Sequence, residues 1–390
     1  MTIIFFDDQS RESLFPLTFT RPVADLRIGI LKISEKWLKH FDGKISYLTA
    51  GYLQKKFPYQ FSDDNLFING SVCPSLEILA AIKGLKDGEA LLKDNIYLAA
   101  KSKQSQRAED FENFKYLNFN GEINQVIYPE DLFKFNDREI RADFKLLTKG
   151  RTSTKLSKTN TIIGDDIFVE EGVYAECCSF NTHNGPIYLG KNSQVWEGTH
   201  IRGALALCND SQIKMGSKIY GATTIGPNSR VGGEINNAVI YGNSSKGHEG
   251  YLGNSVLGEW CNIGADSNNS NLKNNYAEVK LWHYQSEKFR KTGLQFCGLI
   301  MADHAKCGIN TMFNTGTVVG VSANVFGSGF PRNFIADFAW GGAHGFEVYA
   351  LNKMFETTQK VFERRNKVFD DTEKEILVEI FNQTDKYRRF

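Results

Sequence analysis

The residues with most chemistry to offer lie close together in the string SSKGHEGYLGNSVLGEWCNIGAD, residues 244–266. His248 stands there with Lys246, Tyr251 and Asn262 at short, fixed spacings. An unperturbed histidine has a pKa of about 6.5 and exchanges a proton near neutrality, which makes His248 a candidate general base. Backbone N–H groups exposed at a turn beside it can stabilise a developing oxyanion. The other histidines (40, 183, 200, 283, 304 and 344) have no paired metal-ligand spacing, which argues against a three-histidine zinc site.

The element that must hold this string is set by a period. From Leu189 an aliphatic residue returns at every sixth position, through Val195, Ile201, Leu207, Ile213, Ile219 and Ile225 to Val231. An α-helix has no period of six, and an alternating strand has a period of two. Short strands separated by sharp turns satisfy the pattern, three per coil, with one aliphatic column inside. This predicts a left-handed parallel β-helix. The series starts at Ile163, Val169 and Ala175, slips in phase after Val231, and continues at Ile240, Leu252, Leu257 and Ile263. Residues 266–297 lose it, predicting a loop that leaves the prism, and it resumes at Met301, Cys307, Phe313, Val319 and Val325.

Before the repeats, strand-like and helix-like stretches alternate. Residues 2–6, 44–50 and 65–70 read as strands, and 29–41 and 74–85 as helices. That alternation predicts an α/β domain of Rossmann-type layering with a largely parallel sheet. Ligands of such sheets sit beyond the carboxyl ends of the strands, which singles out loops 7–29 and 69–75. Glycine is sparse up to residue 150, dense over 151–345 and absent over 346–390. The expected organisation is therefore an α/β domain over 1–150, the β-helix over 151–345 and a helical appendage over 346–390. Apolar spacing predicts one helix in 348–369 and a second after the Thr372/Glu375 capping-box pair, covering the open end of the prism or joining a neighbour.

The string around His248 resembles the acetyltransferase domain of the bifunctional N-acetylglucosamine-1-phosphate uridylyltransferase/glucosamine-1-phosphate acetyltransferase family, which reads K-x-G-H-x-x-Y-[IL]-G-D, then N-I-G-A-G. Lys246, His248, Tyr251, Leu252, Gly253, Asn262, Ile263, Gly264 and Ala265 match it without gaps. The resemblance implies acetyl transfer from acetyl-CoA to the amine of an amino-sugar phosphate, with His248 as base and no covalent enzyme intermediate. It implies that Glu234 polarises His248, that Lys218, Asn236, Lys246, Tyr251 and Asn262 line the sugar-phosphate site, and that Asn271 approaches acetyl-CoA. Asn236 and Asn237 stand where that family has two lysines, one a phosphate ligand, so the acceptor is the open point. A homotrimer with shared sites is also implied.

SLFPLTFTRPVADL (13–26) resembles the opening of sugar-1-phosphate nucleotidylyltransferases at Leu14, Pro16, Leu17, Thr18, Pro22 and Leu26. The family's glycine loop is replaced by DDQSRE (7–12), and Ser13 and Val23 stand at the signature arginine and lysine. The resemblance then leaves Arg11, Arg21 and Arg27 as substitute nucleotide-binding cations, Asp7 and Asp8 as carboxylates for Mg²⁺, and Asn69 at the nucleotide-sugar turn. A nucleoside triphosphate or nucleotide-sugar is the expected ligand.

Composition narrows the classes further. Lys+Arg number 46 and Asp+Glu 45, so no basic excess calls for nucleic acid or an anionic membrane. No apolar run is long enough for a bilayer, and MTIIFFDDQS has no signal-peptide pattern. Seven scattered cysteines read as core thiols of a reducing compartment, which makes a cytoplasmic protein the expectation. Three functions remain: a bifunctional acetyl- and nucleotidyltransferase for nucleotide-sugar synthesis, an acetyltransferase with a binding-only N-terminal domain, and a non-enzymatic β-helical scaffold or sensor.

Overall fold

The computed structural model describes residues 1–103 and 108–390. It divides into two compact units: residues 1–26, 31–128 and 371–379 in one, and 27–30, 129–370 and 380–390 in the other.

In the first unit, β1 (Thr2–Phe6) is flanked by parallel partners β2 (Lys44–Leu48) and β3 (Asn65–Asn69). Each residue of β1 is buried, as a continuous apolar run in a central strand requires. The rest of the sheet differs from the expectation. Ile96–Ser102 runs antiparallel to β3 and pairs antiparallel with Glu89–Lys93. The hairpin between them turns at Asp94 and Asn95, both in the left-handed region at φ 48° and 64°. The sheet is therefore mixed. The predicted helix 29–41 shrinks to Ile33–Trp37, while 74–85 forms Leu76–Lys83, with the Ser75 hydroxyl accepting from the Ile78 N–H at 3.4 Å.

The second unit is the predicted parallel β-helix. Ile187 pairs with Leu205 and Leu205 with Thr223, and Gln194 pairs with Gln212 and Gln212 with Arg230. Corner side chains repeat with the same offset of 18, one coil of three hexads, as in the Asn192–Asp210 bond. Leu189 through Val231 are all buried in one column. The corners fall on Asn192, Asp210 and Asn228, each with φ between 56° and 58°. Asn and Asp bear that conformation at lower cost than most residues, because the short polar side chain can bond locally.

The phase slip after Val231 comes from shorter corners: Arg230 pairs with Ser245, and Glu234 with both Lys218 and Tyr251. Residues after 270 leave the coil and carry an antiparallel hairpin, Lys280–His283 with Lys288–Lys291. The last coil is closed by an antiparallel strand, Gly345–Val348 on Ala339–Gly342, so a hairpin covers the edge where helices were expected. The two expected helices are Leu351–Glu363 and Asp371–Gln383. Phe362 of the first stacks on Trp260 with centroids 4.0 Å apart. All seven cysteines are free thiols. Among the described residues no helix is long and apolar enough to cross a membrane.

Candidate active site

Strand register brings three residues of the sequence-derived set together, with His200 below them. His200 pairs with Lys218, Lys218 with Glu234 and Glu234 with Tyr251, which stacks these side chains as a column up one face of successive coils. Asn236 lies in the neighbouring column, between Tyr220 and Gly253. His248 sits on the turn between strands Ser245–Lys246 and Tyr251–Leu257, with an exposed imidazole.

The turn is braced from below. Lys246 is 2% exposed, and its Nζ donates to the carbonyl oxygens of Gly232 at 2.8 Å and His248 at 2.7 Å. Burial pulls its pKa down to about 8, against the opposing pull of Glu249 and Asp266. Lys246 was expected to touch substrate; with its ammonium turned inward, it instead fixes the backbone that carries His248. Lys306 repeats the device in a later coil, donating to the His304 carbonyl at 2.7 Å.

Glu234 does not reach His248. Its carboxylate accepts from the Tyr220 hydroxyl at 2.6 Å, and it has no bond to the imidazole. The Tyr251 hydroxyl accepts from Asn271 Nδ2 at 2.9 Å, and that amide also donates to Asn254 Oδ1 at 2.7 Å. The Tyr251 ring lies so close over Gly253 that a Cβ there would come within 2.3 Å of its oxygen. Asn271 thus positions Tyr251. Lys218 reaches Glu249 at 3.7 Å, both about half exposed, a pair of the kind that is weak and displaceable. Glu249, Tyr220 and Asn254 escaped the motif comparison, because only the fold brings them to the column.

Asn262 is elsewhere. It pairs with Ser245 and Lys306 on the adjacent sheet and lines a cavity with Arg230, Arg364 and Arg365. The motif's spacing places it near Tyr251 in sequence, but a coil corner between them turns it to a different face.

In the first unit, a cavity of about 500 Å³ opens at the carboxyl end of β1, lined by Asp8, Gln9, Asn95, Tyr97, Gln125 and Tyr128 among others. That position is the one expected of an α/β ligand site. The expected cations do not serve it. Arg11 is held by Asp7 at 3.1 Å, by the Arg21 carbonyl and by Tyr52. Arg21 is buried against Asp25 at 3.4 Å. Arg27 groups with the second unit, donating to the Ile30 carbonyl at 2.5 Å. No Lys or Arg stands in the lining among the described residues.

The Mg²⁺ carboxylates are also engaged. Asp7 accepts from Val23 N–H at 2.8 Å and from Thr49 and Arg11, and burial raises its pKa. Asp8 accepts from Ser10 through one oxygen and from Asn69 at 2.8 Å through the other. Asn69 is fully buried, donating to Asp8 and the Tyr97 carbonyl and accepting from Ser71 N–H and hydroxyl. Among the described residues no three His, Cys, Asp or Glu groups converge as a metal site. These residues do not fit Mg²⁺; they tie the 7–27 loop to the sheet.

Residues 3–152 match the family model described as sugar nucleotidyl transferase. Among curated proteins, the bifunctional protein GlmU of Methanocaldococcus jannaschii is 28% identical over 210 residues, 54% of this chain and 45% of that protein. That of Methanococcus aeolicus is 27% identical over 244 residues, 63% and 51% of the two chains. The chain thus spans about half the length of the curated relatives it matches. Among solved structures, UDP-N-acetylglucosamine acyltransferases from Francisella novicida and Campylobacter jejuni are each 12% identical over 60% of this chain, covering 85% and 83% of theirs, at TM-scores of 0.21 and 0.24.

Proposed function

We propose that this chain, a divergent GlmU-like protein whose residues 3–152 carry a sugar nucleotidyl transferase domain, uses its β-helix for acyl transfer from a coenzyme A thioester to the amine of an amino-sugar phosphate. The observation that carries this reading is the exposed His248 imidazole on a turn fixed by the buried Lys246, beside the outward column of Lys218 and Tyr251. His248 takes the proton released as the amine attacks the thioester carbonyl. Backbone N–H groups at the corner stabilise the oxyanion, and collapse expels the thiolate, which receives that proton. Lys218 meets the acceptor phosphate once Glu249 is displaced, and Tyr251, set by Asn271, packs on the sugar. Glu234 acts through Tyr220, shaping the column.

A flat prism face encloses little of a ligand, whereas small-molecule sites bury most of theirs. A second copy of the chain is the simplest missing wall, so we read the working form as a homotrimer with His248 facing a neighbour. An active monomer of 44.0 kDa in light scattering would refute it.

For the first unit the reading is narrower: it binds a nucleotide or nucleotide-sugar without transferring it. The family match supports the ligand class, and a lining that holds Asp7 and Asp8 but no cation supports the absence of phosphoryl chemistry. Two separate assays test the two units. Acetyl-CoA with glucosamine 1-phosphate is expected to release CoA; UTP or dTTP with a sugar 1-phosphate is expected to release no pyrophosphate. Pyrophosphate release would establish the bifunctional reading, and no CoA release with any amino-sugar phosphate would reject acyl transfer.

A further inference from the structure

The cavity that receives Asn262 has a chemistry of its own. It measures about 380 Å³ and lies between helix Leu351–Glu363 and the coil face carrying Arg230, Ser245, Asn262 and Lys306. Arg364 and Arg365, just past the helix, complete its wall. Three arginines therefore line one space whose lining contains no carboxylate, while the Lys306 ammonium is turned to the His304 carbonyl. None of the three arginines has an ion-pair partner among the described residues. Arg365 donates to the Asn228 carbonyl at 2.8 Å, which orients it without neutralising it. Its pKa is lowered by burial first, then by Arg230 and Arg364, so the cations repel one another. Lys306 is likewise drawn down to about 8 by burial.

Two features narrow what fills such a space. Guanidinium groups pair with phosphate oxygens by short, charge-assisted hydrogen bonds, often two at a time. A bare phosphate would leave much of about 380 Å³ empty. In the same wall, Asn243 Oδ1 is buried and has no hydrogen-bond partner. An orphaned acceptor beside cations asks for a ligand that also brings a hydroxyl or amine donor.

We propose that this cavity binds a phosphorylated, hydroxyl-bearing small molecule, with Arg230, Arg364 and Arg365 on the phosphate and Asn243 accepting from the hydroxyl. Nucleotide and sugar phosphates share this chemistry. The site stands whether or not His248 transfers an acyl group, since neither His248 nor Lys218, Glu234 or Tyr251 lines it.

Titration calorimetry on the full chain tests it with inorganic phosphate, AMP and glucose 1-phosphate as probes. The expected result is binding of one or both organic phosphates more tightly than inorganic phosphate. Whichever of the two binds more tightly identifies the source. Arg364 makes no side-chain hydrogen bond or ion pair among the described residues, so Arg364→Ala is expected to fold normally and weaken binding about tenfold or more. Arg365→Ala is expected to do the same, with circular dichroism checking the coil. Asn243→Ala is expected to keep phosphate binding but erase the preference for the organic probes. His248→Ala is expected to bind them all unchanged, which separates this site from the acyl-transfer reading. No binding by any probe, or equal binding in the Arg364→Ala and wild-type chains, would overturn the proposal.

Discussion

Replacing Lys246 by methionine keeps the volume of the buried stem and deletes its charge. Two effects of similar size then oppose each other near pH 7. The Gly232 and His248 carbonyls lose their donor, at a cost of about 1–3 kcal/mol for each group left unpaired. Against this, the wild-type chain holds a buried ammonium whose pKa falls from 10.5 to about 8. At about 1.4 kcal/mol per unit, confining that charge costs about 3 kcal/mol. The net change near neutrality is small, and the pH dependence is what distinguishes the account. Between pH 8 and 10.5 the unfolded chain still binds the lysine proton and the folded chain does not, so wild-type stability rises with pH through that window. Lys246→Met lacks this contribution. The wild-type chain is therefore expected to gain about 3 kcal/mol over the variant from pH 8 to 10.5, read from urea midpoints or calorimetry of both proteins at each pH. Subtracting the variant removes Lys306 and the tyrosines, which titrate in both. In acyl transfer at pH 7 the variant is expected to lose kcat with little change in KM, because His248 loses its brace. Parallel stability profiles for the two proteins would refute the burial argument.

Three further outcomes follow from the same geometry. Gly253→Ala places a methyl 2.3 Å from the Tyr251 oxygen, so the ring must swing off Asn271; acceptor KM is expected to rise several-fold, and unchanged kinetics would contradict the positioning of Tyr251. Glu249→Gln releases Lys218 and is expected to lower acceptor KM, most clearly at low salt, whereas an increase would show that Glu249 itself binds the acceptor. Asp337 is buried, accepts from Tyr284 at 2.9 Å, and has its carboxyl pKa raised by burial from 3.8 to about 6. Between those values the folded chain holds the extra proton, so Asp337 contributes stability below pH 4 that is lost as pH rises to 6. Asp337→Asn is expected to remove about 3 kcal/mol of that slope, measured as the difference in urea stability from wild type.

The β-helix was legible because its signal is long and strict: Leu189 to Val231 keep one period, and every one of them is buried. Lys218, Glu234 and Tyr251, named by the family resemblance, share a column because parallel coils stack these sequence offsets, whereas His248 lies on a turn that Glu234 does not reach. Asn262 was misplaced for the converse reason, since a motif fixes order along the chain and the corners decide the face. Lys246 reads as a ligand until its burial is seen, as do Arg11 and Asn69, which bond to the distant Tyr52 and Asp8, and Arg21, which is buried against Asp25. The mixed sheet was hidden because strands 89–93 and 96–102 meet at Asp94–Asn95, a hairpin turn without the glycine that usually announces one. The cluster of Arg230, Arg364 and Arg365 spans so many positions that only the packed helix reveals it.

The central claim is that His248 is the base for acyl transfer. Its most direct test is CoA release from acetyl-CoA and glucosamine 1-phosphate by the wild-type and His248→Ala chains, with circular dichroism and light scattering matched between them. The account predicts a fall of about 10²–10⁴-fold in the variant. A His248→Ala chain that releases CoA at the wild-type rate would contradict it.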